Sequence, residues 1–244
     1  VPLVAVMTSM GGWRVPFTVI GSLLIAVSVL HWFWYPKFES SGPRTLSFLS
    51  RYKQMASIRL FRSALAANLL QRMTFYGISS YLAAYLISEH DFSVGKTAIP
   101  LAIVGLGVVA GSIMAGSVSV MKRRAQAVAG CAVLGGAAAW LLFSFDITAW
   151  GTVGVALAGI AFISIGWPTF LAISTEISGN SQATAVGMLG ASNQMGGVGG
   201  AALGGAFLAL GGFSTVGFFC LGTVLLSAVV LQFGMSGRPS ADKE

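Results

Sequence analysis

Charged residues are scarce in this 244-residue sequence and make up 9% of it, compared with about 25% in a typical soluble domain. Hydrophobic side chains make up 55% of the chain. Because so little polar surface cannot cover a water-soluble globule, an ordinary soluble domain is excluded. The apolar residues form runs of about 20, the length of a membrane-spanning helix, rather than the short alternating segments of a β-barrel. The sequence therefore predicts an integral membrane protein built from helices.

Cysteine and histidine are also scarce, with two of each. Cys131 and Cys220 lie inside apolar runs, where cysteine behaves as a small buried hydrophobic residue. His31 and His90 are far apart in the sequence, so we expect no metal site and no cofactor. The sequence shows no nucleophile beside a base and no paired carboxylates, and it therefore argues against an enzyme.

Lysine and arginine fall mainly in alternate loops between the apolar runs, although the net charge of +7 could by itself suggest a nucleic-acid partner. Membrane topology explains this distribution, so we expect no nucleic-acid partner. By the positive-inside rule, the loop 36–61 and the tail 236–244 face the cytoplasm. The 11 basic residues on that side, of 14 in the chain, are Lys37, Arg44, Arg51, Lys53, Arg59, Arg62, Lys122, Arg123, Arg124, Arg238 and Lys243.

Seven apolar segments are each long enough to cross a hydrocarbon core of about 30 Å at a rise of 1.5 Å per residue. An all-α polytopic membrane helix bundle is therefore predicted. Residues 1–10 are apolar but too short for a span, and we expect them to be the end of a helix that begins earlier. The predicted spans are residues 15–35, 62–87, 98–121, 125–145, 147–173, 183–210 and 213–233.

The longest predicted loop is the cytoplasmic linker 36–61, which begins with the helix-breaking Pro36. Phe48, Tyr52 and Met55 then recur at helical spacing beside basic residues. This pattern predicts a short amphipathic helix on the inner membrane surface, where lipid headgroups favour basic side chains. A flexible linker with chance spacing is the alternative.

Small residues recur every four positions in two of the predicted spans, so that they form flat stripes on the helices. Such stripes let a neighbouring backbone approach closely, and glycine also permits bending. Static helix packing and hinges between moving helices would both use them. The packing or hinge candidates in these stripes are Gly107, Gly111, Gly196, Gly200 and Gly204. Pro168 is a further candidate, because it removes a backbone donor and is predicted to kink its helix.

Polar residues gather on one face of the second predicted span. Arg72 lies ten residues beyond Arg62, or about 15 Å along a helix, which puts it near the membrane midplane if Arg62 marks the inner interface. A central arginine costs about 2.5 to 3.5 kcal/mol on insertion scales, so it should face a wet cavity or a partner. The residues of this face are Asn68, Gln71, Arg72, Phe75 and Ser79, with Tyr76 at its edge.

Two interpretations of this face stay open. It can be a wall that contacts a solute, with the aromatic rings supplying apolar contact. Alternatively, Arg72 is structural and binds backbone carbonyls or an acid on another helix. Glu176 and Asp146 lie near opposite ends of their spans, so a carboxylate partner for Arg72 would have to come from elsewhere.

Three further residues lie at depths where a solute could reach them. Asn193 and Gln194 are about ten residues into the sixth predicted span, where they can form interhelical hydrogen bonds or contact a ligand. Trp167 is a candidate aromatic of the cavity or an anchor at the inner interface. We include all three among the candidate cavity residues.

Two stretches resemble the major facilitator superfamily. Residues 11–21, GGWRVPFTVIG, look like the family's G-W-R-x-x-F signature, which enters the sixth helix from outside. The segment beginning GIAFISIGWPTFLAISTEISG and continuing to NQMGGVGGAALGG resembles the tenth and eleventh helices with their acidic junction. The helix order, the long basic central loop and the orientation also fit this family.

The resemblance implies the second half of a twelve-helix carrier. Residues 1–35 would be the end of the fifth and the whole sixth helix, and 62–235 the six-helix C-terminal domain, which needs the missing N-terminal half as its partner. The family works by alternating access around a midplane site between two halves. The overall pattern looks most like the drug and sugar efflux branch of proton antiporters, in the lipid bilayer of a bacterial inner membrane.

This sequence departs from the family pattern at two cytoplasmic positions. The loop after the eighth helix often repeats G-x-x-x-D-R-x-G-R-R, but here Gly116 is followed by Val120 and Met121 where Asp and Arg would stand. The arginine common after the acidic junction is Gln182 in this chain. An inner gate in which Glu176 pairs with that arginine is therefore not expected.

The sequence thus predicts a secondary active transporter that moves a small organic solute, with proton-coupled efflux as the favoured direction. Arg72 would orient an anionic group or pair with an acid of the other half. One alternative is an uptake symporter for an organic anion or metabolite. The other is a membrane scaffold, or an inactive fragment, that transports nothing.

Overall fold

A computed structural model of the chain describes residue 7, residues 11–34 and residues 48–235. Regular structure in these parts is helical throughout. The chain divides into two compact units, residues 1–47 and residues 48–244. Residues 1–6, 8–10, 35–47 and 236–244 lie outside the described residues. They include most of the predicted helix end at residues 1–10, the earlier part of the linker 36–61 and the tail 236–244.

Helix α1, Arg14–Trp34, is the long element of the first unit. Its bounds agree within one residue with the predicted span 15–35. Apolar side chains are exposed along it, Pro16 being its buried residue. Such a surface suits a helix whose surroundings are lipid or other helices rather than water.

The described part of the second unit, residues 48–235, contains seven helices and two short 3₁₀ turns. The predicted spans 98–121 and 125–145 agree with α4 and α5 to within two residues, because continuous apolar runs determine these helices. The helices are α2, Phe48–Ser57; α3, Arg59–His90; α4, Ala98–Ser119; α5, Arg124–Ser144; α6, Ala149–Ser164; α7, Gly166–Ile177; and α8, Gln182–Met235.

Helix α8 is broken within its length by two residues with non-helical backbone angles. Gly211 is extended, with φ of −162°, and Gly212 has φ of 74° and ψ of −166°, a conformation that residues with a side chain rarely adopt. The break lies between the predicted spans 183–210 and 213–233. We refer to residues 182–210 as the first arm of α8 and to residues 213–235 as the second arm.

The predicted span 147–173 is interrupted at Ile165, between α6 and α7. Thr148 begins α6 because its side chain accepts a hydrogen bond from the backbone N–H of Gly151. Pro168 lies three residues after the interruption. Since proline cannot donate a backbone hydrogen bond to the residue four positions earlier, it accounts for a weakened helix at this point.

Five helical stretches in the described ranges are long and apolar enough to cross a membrane. At 32 residues, or about 48 Å, α3 also exceeds the hydrocarbon thickness, but its polar face lowers its hydropathy and it is not one of the five. Gln182–Gly234 has 53 residues, enough for two passes. The five are Arg14–Trp34, Val94–Ser119, Arg124–Ser144, Ala149–Ile177 and Gln182–Gly234.

Helix α3 is central to the second unit and packs against both arms of α8. Its later half contributes Ile78, Leu82 and Leu86 to one buried apolar cluster. Its earlier half contributes Ala64 and Ala67 to a second. The polar residues between these two clusters are therefore held at a fixed position in the bundle.

The helix predicted within the linker is present as α2. Met55 is fully buried and forms a small cluster with Phe61 and Ala185, while Tyr52 is half-buried. Part of the predicted apolar stripe thus packs against the protein rather than facing lipid; the side chain of Phe48 lies outside the described part. The position of α2 on the membrane surface remains a prediction.

Candidate functional site

The polar face of α3 begins with Asn68, which is 1% exposed. Its Nδ2 donates to Ser192 Oγ at 3.2 Å, and Ser192 Oγ donates in turn to the carbonyl of Leu65 at 2.8 Å. Asn68 Oδ1 is buried and has no hydrogen-bond partner among the described residues. Asn68 therefore joins α3 to the first arm of α8.

Gln71 joins α3 to the second arm. Its Nε2 donates to Ser227 Oγ at 3.2 Å, and Ser227 Oγ donates to the carbonyl of Ala67 at 3.2 Å. The Oε1 of Gln71 lies against Gly166, at the beginning of α7. Like Asn68, Gln71 is 1% exposed, so both amides lie inside the helix packing rather than on an open wall.

Arg72 is the charged residue at this level, and it is 8% exposed. Its Cζ lies over two aromatic rings, 5.1 Å from the centroid of Phe75 and 5.8 Å from that of Trp167. Its Nε is buried without a hydrogen-bond partner. Within the part of the chain that the structure describes, the guanidinium forms no ion pair.

Glycine on α8 makes room for this arrangement. A β-carbon added at Gly196 would lie 2.6 Å from Cβ of Arg72 and 2.5 Å from the carbonyl oxygen of Leu69. At Gly197 it would lie 3.0 Å from the ring of Tyr76. The first arm can therefore approach α3 closely at the level of Arg72 because these positions carry no side chain.

The other glycines of the predicted stripes are also at close helix contacts. Gly200 and Gly204 of the first arm face Met73 and Tyr81 of α3. On α4, Gly107 and Gly111 approach the backbone of α6, and a β-carbon at Gly107 would be 2.6 Å from the carbonyl oxygen of Leu157. The glycines thus lie where backbones meet, and their role as hinges remains a prediction.

Aromatic residues extend the polar face beyond Arg72. Phe75 and Tyr76 are half-buried and meet edge to face, with centroids 5.3 Å apart. Ser79, one turn further, is exposed, and its Oγ donates to the carbonyl of Phe75 at 2.8 Å. The face therefore becomes more accessible with distance from Asn68.

The remaining predicted residues lie on α7 and α8. Trp167 and Pro168 are half-buried, and Trp167 is brought to Arg72 as described. Asn193 is half-buried and Gln194 is exposed, and neither side chain forms a hydrogen bond within residues 48–235. The structure thus brings Arg72, Phe75 and Trp167 together.

Two cavities in the second unit lie towards opposite ends of α3. An apolar cavity of about 440 Å³ lies beside the early turns of α3, between Tyr52, Leu69 and Met195. A more polar cavity of about 510 Å³ lies near its end, where Glu89 and Asp146 are among the lining residues. Arg72 lines neither of them.

An ion pair at the predicted cytoplasmic end was not expected from the sequence. Arg124 Nη1 donates to Glu176 Oε1 at 2.7 Å, and Nη2 contacts Oε2. The family pattern would place the partner of Glu176 at position 182, which is Gln182 in this chain. The basic run 122–124 indicated that a cation was available near this end of the bundle. The sequence could not show which acid it contacts, because Arg124 and Glu176 are 52 positions apart.

The family model of the Major Facilitator Superfamily matches residues 1–187. This covers most of the chain and includes the quoted GGWRVPFTVIG stretch and most of the segment that resembles the tenth and eleventh helices. No curated protein matches the sequence.

Solved structures of transporters have a similar fold. The Escherichia coli fucose:proton symporter FucP superposes with a TM-score of 0.69 at 19% identity, over 91% of this chain and 55% of that protein. FucP in the outward conformation gives a TM-score of 0.68, also at 19% identity, over 91% and 54%. A bacterial homologue of the human lysosomal transporter Spinster, inward-facing and unoccupied, gives 0.53 at 18% identity, over 92% and 58%. This chain thus spans a little over half the length of these proteins.

Proposed function

The chain belongs to the major facilitator superfamily, and we propose that it forms the second half of a secondary active transporter for a small organic solute. Its all-α membrane bundle has the major-facilitator fold. The family's carriers alternate access to a midplane site between two halves. Ionisable residues within a span typically mark a substrate pathway, because their burial in the membrane is costly. That face on α3 is the observation that carries the proposal.

The proposed division of the chain follows the family pattern. Residues 1–35 would complete the first half, 36–61 would be the cytoplasmic linker, 62–235 the C-terminal six-helix domain and 236–244 a cytoplasmic tail. The similarity to 55% of FucP supports this assignment, because half of a twelve-helix carrier plus one helix would have that length. The distribution of basic residues supports the orientation.

Residues of the polar face take different roles in this proposal. Arg72, Phe75, Tyr76 and Trp167 form the wall that contacts the solute, and Asn193 and Gln194 extend it along α8. Asn68 and Gln71 hold α3 to the two arms of α8. Ser79 lies where the face opens to its surroundings. Gly196, Gly200 and Gly204 permit the close packing behind this wall.

We further propose that transport is proton-coupled efflux. The acidic residues of the sequence lie in loops or near span ends, so the carboxylate that carries the proton is expected in the other half. The second candidate is an uptake symporter for an organic anion or metabolite, and the similarity to FucP, a fucose:proton symporter, supports coupled uptake as a mode of transport. The direction of solute movement driven by an imposed proton gradient distinguishes efflux from uptake.

Flux in proteoliposomes tests the proposed function. The complete protein encoded by the gene is reconstituted with a trapped pH dye, and proton movement is recorded with ethidium, benzoate and L-fucose as probes. Saturable, probe-dependent proton movement supports a transporter. Absence of saturable movement with all three probes, together with a stably co-purifying partner, would instead favour a membrane scaffold.

Two arginines of α3 provide a matched pair of variants. Arg72→Ala should abolish the flux, whereas Arg62→Ala, which removes the same charge from an exposed position on the same helix, should retain most of it. Unchanged flux in the Arg72→Ala protein, at normal expression, would exclude Arg72 from the transport site.

A further inference from the structure

The charge of Arg72 has no counterion within the described residues. The ion pair found there is the one between Arg124 and Glu176, at an end of the bundle. Glu89 is on the same helix as Arg72 but 17 residues further on, or about 25 Å along the axis. The guanidinium is therefore a buried positive charge that remains uncompensated in this part of the protein.

Burial makes this charge unusual. A charged group that loses its water normally gains an opposite charge or several hydrogen bonds, because an unpaired buried charge is strongly destabilising. Arg72 instead has two aromatic rings within 6 Å of Cζ, and its Nε lacks a partner. The rings stabilise the cation, but they supply no hydrogen-bond acceptor for the guanidinium.

From this arrangement we infer that the solute is an organic monoanion with a carboxylate head and a flat, apolar body. The inference rests on the proposed function and specifies the solute class for the same site. Arginine presents a planar fork of N–H donors that matches a carboxylate. The hydrogen bond is strong here because the surrounding rings lower the local dielectric.

A single negative charge fits the number of nearby cations. Arg62, the preceding basic residue on α3, is about 15 Å from Arg72 along the helix. The second charge of a dianion would therefore have no partner in the bundle. Its desolvation would be costly, whereas the single charge of a monoanion is paired with Arg72. The same reasoning excludes a cationic solute, because its charge would face the guanidinium directly.

A flat apolar body fits the surroundings of the head group. Phe75 and Trp167 flank the guanidinium, and the Tyr76 ring meets that of Phe75 edge to face. Aromatic solutes can add further edge-to-face or offset contacts to such rings. The structure records no other charged side chain among these contacts, so the rest of the solute is expected to be uncharged.

Three nearly isosteric probes test the solute class: benzoate, benzamide and benzamidinium. They differ mainly in charge, which is −1, 0 and +1. Binding to the complete, detergent-purified protein is measured by isothermal titration calorimetry. Benzoate should bind at least about tenfold more tightly than benzamide, since a hydrogen bond to a charged group is lost in the amide. Benzamidinium should show no saturable binding.

Variants assign the preference to Arg72. Arg72→Ala should bind benzoate and benzamide with affinities within about threefold of each other, and Arg62→Ala should keep the preference of the unmodified protein. Arg72→Lys keeps the charge but not the planar fork, so it should still prefer benzoate, with about tenfold weaker binding. Trp167→Leu should weaken benzoate more than cyclohexanecarboxylate, which lacks an aromatic ring. Each variant is shown to be folded if its helical circular dichroism spectrum matches that of the unmodified protein.

Several results would overturn the inference. Equal affinities for benzoate and benzamide, binding of benzamidinium, or no benzoate binding at millimolar concentration would each do so. A carboxylate from another part of the protein that neutralises Arg72 would produce the first or the last of these. If Arg72→Ala does not fold, Arg72→Lys and Trp167→Leu provide the test. The inference is overturned if both variants keep the preference for benzoate over benzamide and bind benzoate as tightly as the unmodified protein.

The flux measurement separates this inference from the proposed function. Saturable movement of ethidium or L-fucose without a preference for benzoate would overturn the solute class and leave a transporter. Tight, Arg72-dependent benzoate binding without any flux would support the monoanion site and contradict the transport proposal. The two proposals can therefore fail independently.

Discussion

Arg124 and Glu176 form a bidentate ion pair that connects the beginning of α5 to the end of α7. Arg124 Nη1 also donates to the carbonyl of Ser119 at 3.3 Å, so the last residue of α4 joins the same contact. Three helices are thus tied together at the predicted cytoplasmic end, where the family's usual charged motif is altered. The first residue of α5 and an acid in the last turn of α7 provide this connection.

Breaking this ion pair should destabilise the bundle modestly. The pair is partly exposed, so its coupling energy should be about 0.5 to 1 kcal/mol, the upper part of the range for such pairs. Arg124→Ala and Glu176→Gln should each lower the apparent Tm of the purified protein, and the double variant should lower it by less than the sum of the two. Lys122→Ala is the control, since it removes a neighbouring charge that lies outside the pair. Strict additivity of the two changes would show that the contact contributes nothing.

The hydrogen bond from Asn68 to Ser192 should act on stability rather than on solute selection. Interhelical hydrogen bonds in membranes are worth about 0.6 kcal/mol on average and up to about 1.7. Asn68→Leu or Ser192→Ala should therefore lower the apparent Tm, while the preference for benzoate over benzamide stays unchanged. Ser79→Ala, at an exposed position of the same face, is the control and should leave the Tm unaltered. Loss of the preference in Asn68→Leu at normal Tm would place Asn68 in the solute contact instead.

Gly212 should be the residue least tolerant of substitution in the break of α8. With φ of 74° and ψ of −166°, it has a conformation that is essentially restricted to glycine, and an alanine there should cost about 1 to 3 kcal/mol. The expected result is a clear loss of apparent Tm in Gly212→Ala. Gly222→Ala is the matched control, because that glycine is within the second arm and an added β-carbon meets nothing within 4 Å. Equal Tm values for the two variants would contradict the proposed strain.

The sequence predicted helix positions well where apolar runs are continuous. The spans 98–121 and 125–145 agree with α4 and α5, and the gap between 210 and 213 coincides with the break at Gly211 and Gly212. These features are local, because run length and adjacent glycines determine them. Helix α3 extends beyond its predicted 62–87 at both ends, since polar residues can continue a helix outside the apolar run.

Long-range contacts could not be predicted in the same way. The face that holds Arg72 follows from helical periodicity, but the approach of Trp167 depends on how α7 packs after the interruption at Ile165. The partners of Asn68 and Gln71, Ser192 and Ser227, are more than 120 positions away in the sequence. A single sequence carries no direct signal for such pairs, so it predicted the polar face without its hydrogen bonds.

Adding one methyl group to Gly196 should disturb both the helix packing and the position of Arg72. A β-carbon there would lie 2.5 Å from the Leu69 carbonyl oxygen, which belongs to the backbone of α3 and cannot move aside as a flexible side chain can. Overpacking of this kind typically costs about 1 to 3 kcal/mol. Gly196→Ala should therefore lower the apparent Tm, and it should also weaken benzoate binding because Cβ of Arg72 is 2.6 Å from the added carbon.

Gly190→Ala is the matched control in the same arm of α8, where an added β-carbon has open space around it. Because alanine has a higher helix propensity than glycine, this variant should keep or slightly raise the apparent Tm, by up to about 1 kcal/mol in stability. Its benzoate affinity should be that of the unmodified protein. If Gly196→Ala and Gly190→Ala behave alike in both measurements, the first arm does not hold Arg72 in place, and the position of the guanidinium must then depend on Phe75 and Trp167 instead.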